Sequence, residues 1–306
     1  RYGFAADHVR RIDLVTLDAR LRQVTAGSDP DLFWALRGGG GNFGVVTGME
    51  IDLVPVARIY GGSLFFDVEQ APDVLDAWRH WTATVPEEMT SAVTTLSYPD
   101  LPMLPEPLRG RRSPRSRSPM PARSRTGATW WNRCAHSAHP AGHAPRTPLR
   151  RIRRGLRRTR RTARLPIAEP PGERPRTAGP GRSDEGAGPS APVMTVVGLR
   201  HLGGALAREP RTANAVGHRD ATYAVTVLSP VQAGEDEVVR ETHRDALAPL
   251  AADAVGCSLN FTFGPLSGDE VRSAFAPADY ARLTRIRARH DPHGLLRANH
   301  VIPPAG

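Results

Sequence analysis

The residues best suited to chemistry lie in one short run. Gly38, Gly39, Gly40 and Gly41 are followed by Asn42, Phe43 and Gly44, then by Val45, Val46 and Thr47. Glycines in series expose backbone amides with no side chain in front of them, so the chain can pass flush against a flat or charged ligand. The run matches G-x-G-x-x-G, a spacing that cradles pyrophosphate when it follows a strand and opens a helix. Here the order is reversed. A helix precedes the glycines and a strand follows, so a phosphate would meet the carbonyl end of a helix, which repels it. A plain turn and a ligand-lining turn are equal readings of the spacing alone.

Other candidates are weaker. Cys134, His136, His139 and His143 form an allowed zinc set, but their compact spacing fits no usual ligand pattern and no core surrounds them, so no metal site is assigned. Tyr223 offers a phenol, read more simply as a packed sheet tyrosine. No catalytic residue is assigned. The arginines of residues 150–161 would bind phosphate backbones without sequence preference, which makes an arginine-rich RNA binder the rival functional class.

The elements that must position the glycine run are well signalled. Asp29 can cap a helix over residues 30–36, Pro30 suits its first position, and Leu32, Phe33 and Leu36 share a face. A strand over residues 45–53 alternates Met49, Ile51 and Leu53 with Glu50 and Asp52, which predicts one buried and one wet face. A helix is expected at 71–83 and a strand at 89–97. Beyond residue 190, strands are expected at 194–199, 221–228 and 257–263, and helices at 235–252 and 277–289. The last carries Tyr280, Leu283 and Ile286 on one face and stops before Asp291-Pro292. The pattern predicts an α+β class with a mixed or antiparallel sheet and helices on one face.

Composition divides the 306 residues sharply. The net charge is +10, yet residues 111–190 hold 20 of the 41 basic residues, all arginine, against four acids. That segment carries +16, so the rest of the chain is mildly acidic at −6. The same segment has 12 prolines and only five residues among Ile, Leu, Val and Phe, too few to offset chain entropy, so no structure is expected in it. No run of about 18 apolar residues exists, which argues against a membrane span. With no signal peptide visible and two cysteines, a cytoplasmic location is expected.

Two motifs near opposite ends carry a resemblance. Residues 29–47, from Asp29-Pro30-Asp31-Leu32-Phe33-Trp34 through the glycine run to Thr47, resemble the closing stretch of the flavin-binding domain in berberine bridge enzyme-like FAD-linked oxidases, of the vanillyl-alcohol oxidase / p-cresol methylhydroxylase type. Residues 279–303, including His290-Asp291-Pro292-His293-Gly294-Leu295 and Asn299-His300-Val301-Ile302-Pro303, are similar to that family's terminal segment. The likeness covers residues 1–110 and 191–304. It implies FAD as cofactor, lined by the residues from Gly38 to Thr47 and approached by Asn299 and His300. It also implies two-electron oxidation of a small-molecule substrate, molecular oxygen as the usual acceptor, and no membrane or specific nucleic-acid partner. The implied organisation is residues 1–58 as the end of the flavin domain, 59–110 and 191–263 as parts of a substrate domain, and 264–306 as the terminal segment. The flavin-linking histidine and the larger part of the flavin domain would precede Arg1, so the chain is expected to be an inactive fragment, or an inert pseudogene product.

The anomalous segment has its own reading. A chain without lysine suggests a GC-rich gene, in which a shifted frame yields excess Arg, Pro, Ala, Gly and Ser. One alternative frame over residues 127–140 can give Gly-Asn-Leu-Val-Glu-Pro-Leu-Arg-Ala-Leu-Gly-Pro-Pro, partly forced by the single-codon tryptophans. Another over residues 141–164 can give Leu-Asp-Thr-Leu-Arg-Glu-Leu-Pro-Tyr-Ala-Glu-Ser-Ala-Ala-Val-Tyr-Asp. Both have ordinary periodicity and acids. Residues 111–190 are therefore expected to be a frameshifted stretch.

Overall fold

The computed structural model describes residues 1–56, 59–65, 74–97, 112–121, 160–167, 193–231 and 233–306. In chain order they form β1 (Val9–Val15), β2 (Leu21–Val24), α1 (Pro30–Leu36), β3 (Val45–Ile51), β4 (Ile59–Phe65), α2 (Val74–Thr82), β5 (Ala92–Ser97), β6 (Arg112–Pro121), β7 (Arg160–Ile167), β8 (Val196–His201), β9 (Tyr223–Pro230), α3 (Asp236–Leu247), α4 (Gly268–Arg272) and α5 (Pro277–His290), with short 3-10 turns between. The chain divides into two units, one of Arg1–Pro55, Gly203–Ala221 and Val255–Gly306, the other of Val56–Leu202 and Thr222–Ala254.

The first unit holds a three-stranded antiparallel sheet in the order β2-β1-β3. Helix α1 starts as its sequence dictates: the Asp29 carboxylate accepts the Leu32 N–H at 3.1 Å and Pro30 takes the first position. It is buried on nearly every side, through Leu32, Phe33, Trp34 and Ala35, because α5 lays its Leu283 and Ile286 into the same core as Ile12 and Leu14 of β1. Burying such side chains supplies roughly 1.5–3 kcal/mol each.

The second unit is built on a six-stranded sheet, β4-β6-β5-β8-β9-β7, whose pairings are all antiparallel. Val93, Leu199 and Val225 fall in one register row and pack with Leu75 and Trp78 of α2 and Ala246 and Leu247 of α3. Both helices therefore cover one sheet face, and the α+β class with helices on one side holds. Among the described residues no helix is long and apolar enough to cross a membrane.

Four expectations need correction. Residues 112–121 and 160–167, inside the stretch expected to lack structure, are strands β6 and β7. A ladder is made by backbone groups that every residue except proline carries in full, and the edges of β4, β5 and β9 are there to receive it. The rest of 111–190, with Cys134, the three histidines and most of the arginine run, lies outside the described residues. Residues 257–263 form no strand. They turn through a 3-10 step at Leu259–Phe261, with Thr262 Oγ1 donating to the Ser258 carbonyl, so local bonds replace a ladder partner. The helix expected to reach 252 leaves α geometry after Leu247, where Pro249 has no N–H to continue the ladder. Finally, β3 buries neither face: Met49 is 56% exposed and Ile51 42%.

Candidate functional site

The glycine run folds as a turn between the carbonyl end of α1 and the start of β3. Three of its glycines are demanded by the protein's own packing. A Cβ on Gly38 would lie 2.3 Å from the Ala215 backbone, on Gly39 2.7 Å from the Ala35 carbonyl, and on Gly44 2.7 Å from the Val15 carbonyl. Gly40 and Gly41 differ. Gly40 has φ +67° and Gly41 has no heavy atom within 4 Å of its would-be Cβ, so the outer side of the turn is open. Within the run it is these two whose missing side chains leave room for a ligand.

Arg37 braces the turn from beneath. Its guanidinium is buried against the Phe33 ring and donates to the carbonyls of Phe33, Ala6 and Thr212 at 3.1–3.3 Å. Beside it, Arg219 donates to the Asp7 carboxylate at 2.6 Å and Asn214 adds a second donor at 2.7 Å. Burial pushes the Asp7 carboxyl up, but these donors and the Phe4 N–H outweigh it and hold it below the usual range.

Asn42 joins the two groups of sequence-predicted residues. Its Nδ2 donates to the Gly39 carbonyl at 2.8 Å and to the His300 carbonyl at 3.0 Å. Its Oδ1 accepts the Ile302 N–H at 3.0 Å and a short bond from Arg287 Nη1. Two donors and two acceptor positions are all that an amide possesses, so every one is spent inside the protein. Phe43 is fully buried below the turn, while Val45, Val46 and Thr47 are exposed on β3. Asn299 is exposed, and His300 is half-buried with Nε2 3.0 Å from the Thr262 carbonyl. His300 Nδ1 is buried and has no hydrogen-bond partner among the described residues.

Arg287 and Asp291 complete this centre, and sequence reasoning missed both. Both are fully buried and pair at 2.8 Å. Asp291 also accepts the N–H groups of Leu295 and Leu296 at 2.7 and 3.0 Å, which folds the terminal segment back over the turn. A signal did exist. Arg287 continues the Tyr280–Leu283 stripe at helical spacing, and a cation there must be buried with a partner four residues on.

Asn42→Asp is a direct test of the hinge between turn and terminus. A carboxylate keeps the acceptors for Arg287 and Ile302 but loses both donations, at roughly 1 kcal/mol each. Amides of residues 294–303 are expected to exchange about tenfold faster, the equivalent of ~1.4 kcal/mol, with β1 and β2 unchanged. Hydrogen exchange read by mass spectrometry checks it.

In the second unit the candidate chemistry is spent on packing. The Tyr223 hydroxyl is bonded to Thr82 Oγ1 at 2.6 Å and its ring lies 5.5 Å from Trp78. His243 Nε2 reaches Ser229 Oγ at 3.0 Å, but Ser229 is 1% exposed, so no substrate can meet this pair. Among the described residues no cluster of three His, Cys, Asp or Glu could hold a metal.

No family model matches the chain. Sequence relatives nevertheless agree with one another. The chain is 33% identical over 93 residues to the FAD-dependent monooxygenase drtC of Aspergillus calidoustus, covering 30% of this chain and 18% of that protein. It is 31% identical over 96 residues to the FAD-linked oxidoreductase YgaK of Bacillus subtilis, covering 30% and 21%. Over these stretches the chain is similar in sequence to FAD-linked oxidoreductases. The fold agrees: it superimposes on 6-hydroxy-D-nicotine oxidase from Arthrobacter nicotinovorans with a TM-score of 0.72 at 19% identity, over 100% of this chain and 68% of that one. On Physcomitrella patens BBE-like 1 the TM-score is 0.74 at 14% identity, over 98% and 66%. The matched stretches make up only about a fifth of these oxidoreductase relatives by sequence, and about two thirds of the solved ones by fold.

Proposed function

We propose that this chain is part of an FAD-dependent oxidoreductase that oxidises a small molecule, with molecular oxygen as the electron acceptor, acting in the cytoplasm. The observation that carries the reading is the Asn42 amide, which draws the glycine turn and residues 300–302 to one place although they lie 258 and 260 residues apart in sequence from their partner. Both stretches are ones that resemble the flavin-lining text of FAD-linked oxidases.

The residues present fit part of such a cofactor. The open side of Gly40 and Gly41 leaves backbone free to approach a flat or charged group, and the unpartnered His300 Nδ1 is a polar atom that a ligand can satisfy. FAD, when bound, supplies a two-electron acceptor for hydride leaving a substrate carbon. The chain's own contribution is positional. Arg37 and Arg287 hold the turn from within, Asp291 anchors the terminal segment, and Asn42 sets their separation. No group here is assigned as a base, since Tyr223 and His243 are engaged in their own core.

The test is colour. The polypeptide is expressed together with the DNA upstream of the Arg1 codon and with an intact frame through residues 111–190. It is expected to purify with bound flavin and a visible flavin spectrum. Protein that stays colourless at saturating FAD overturns the reading.

A further inference from the structure

The register of the six-stranded sheet sorts its arginines. The helix-covered face is drawn from Val93, Leu199, Val225 and Val227, which belong to the core under α2 and α3. The alternate positions fall on the other face, because successive residues of a strand take opposite sides and paired residues share one. One row of that face runs Arg115, Thr94, Gly198, Thr226, Arg164, and the next runs Arg117, Ala92, Arg200, Ala224, Pro166. Arg160, opposite Pro230, falls on the same face further along β7. Of the arginines in the six strands only Arg112 and Arg161 fall on the helix side, and none of the six strands contains an acid. Like charges on neighbouring strands repel one another, and an anion laid across them removes that cost.

The spacing of these positions suits a chain of anions better than a single one. The two rows are about 7 Å apart, and Arg115 and Arg164 are four strand spacings apart, about 19 Å. Between the arginines the face is small and polar. A Cβ on Gly198 would meet nothing nearer than Thr94 Oγ1 at 3.8 Å. Thr94 and Thr226 are half-buried, and their hydroxyls have no partner among the described residues. Six strands span about 24 Å, too broad for the major groove of a duplex at about 12 Å. Single strands are instead bound on sheet faces, with arginines on the phosphates and hydroxyls available to the ribose 2′-OH. We propose that the helix-free face of the six-stranded sheet binds single-stranded RNA through its phosphates, without sequence preference. This surface belongs to the chain in its present reading frame and owes nothing to the flavin reading, so either can fail alone.

The full chain is titrated into fluorescein-labelled oligouridine of about 20 nucleotides, with binding read by anisotropy from about 50 to about 200 mM salt. Affinity is expected to fall as salt rises, with a logarithmic slope of about 0.7 for each phosphate engaged. Arg164→Gln and Arg200→Gln should each weaken binding about fivefold at ~0.1 M salt, the worth of one released counterion, and reduce the slope by about 0.7. Arg285→Gln, at an exposed position of α5 in the other unit, removes the same charge and should change neither. An equal loss at position 285 would reduce the effect to net charge and overturn the proposal. So would a loss confined to a chain with Arg150, Arg151, Arg153 and Arg154 all changed to Gln, which would assign the RNA to that run. Absence of binding overturns it, as does displacement by equimolar FAD. Binding of the deoxy-oligomer, of a duplex of the same length or of phosphatidylserine vesicles as tight as that of oligouridine overturns it too. Phenylglyoxal modification of the unsubstituted chain, read by peptide mass spectrometry, needs no variant. Oligouridine is expected to slow reaction at Arg115, Arg117, Arg164 and Arg200 at least fivefold and to spare Arg285, and unchanged rates overturn the proposal.

Discussion

Arg287→Met is expected to lower the stability of the unit built on β2-β1-β3 by about 3–5 kcal/mol, the usual cost of removing one partner from a buried ion pair. The guanidinium is fully enclosed and serves Asn42, Asp291 and the Leu296 carbonyl together. Without it Asp291 keeps a buried charge held only by two backbone N–H groups. Chemical denaturation measures the loss, and a cycle with Asp291→Leu identifies its source. The double variant should recover much of the stability, because the penalty lies in the orphaned charge and not in lost packing. Equal losses in the single and double variants would contradict this account. Acid should act similarly on the parent protein. Burial pushes the Asp291 carboxyl up, but the Leu296 and Leu295 N–H groups and Arg287 outweigh it, so its folded pKa lies below the unfolded one. Its contribution is present above the unfolded carboxylate range and is lost as pH falls through the lowered folded value.

Much of the site was legible because its determinants are local. Asp29-Pro30 specifies where α1 starts, and the Tyr280, Leu283 and Ile286 stripe specifies how α5 faces the core. What resisted reading was whatever depends on a partner distant in sequence. The alternation Met49, Glu50, Ile51 marks an apolar face but says nothing about whether anything covers it, and among the described residues nothing does. Residues 257–263 alternate like a strand, yet a strand exists only where a neighbour offers an edge. Asn42 looked like a residue for a ligand. Its four bonds come from Gly39, His300, Ile302 and Arg287, three of them more than 240 residues away, and no spacing rule foresees that. The glycine run shows the limit most clearly. Composition makes all its members equivalent, and only the packed backbone of Ala215, Ala35 and Val15 divides structural glycines from the open pair.

Restoring the frame across residues 112–190 should stabilise the six-stranded sheet by several kcal/mol. Strand β6 lies between β4 and β5, the position least tolerant of proline, yet it carries Pro114, Pro119 and Pro121 in register with Thr95, Gly61 and Ile59. None of the three has an N–H to give to either neighbour. A ladder acceptor left without its donor costs about 1–3 kcal/mol where it is buried, so each proline that faces a neighbour across the ladder adds a penalty of that order. Edge strand β7 carries Pro166 in the same way, opposite Ala224. The topology thus sets aside two strand positions that the residues filling them are poorly made for, as expected if the architecture descends from a different text. The alternative frames supply such text, with Leu, Val and Tyr among acids in place of Arg and Pro. Sequencing the gene is expected to find length changes that are not multiples of three near codons 112, 140 and 190, which together restore the frame. Denaturation of the reframed protein should then show a higher unfolding midpoint for this unit with the other unchanged. An unbroken frame, or a reframed chain no more stable than the present one, would mean that the prolines are native to the sheet.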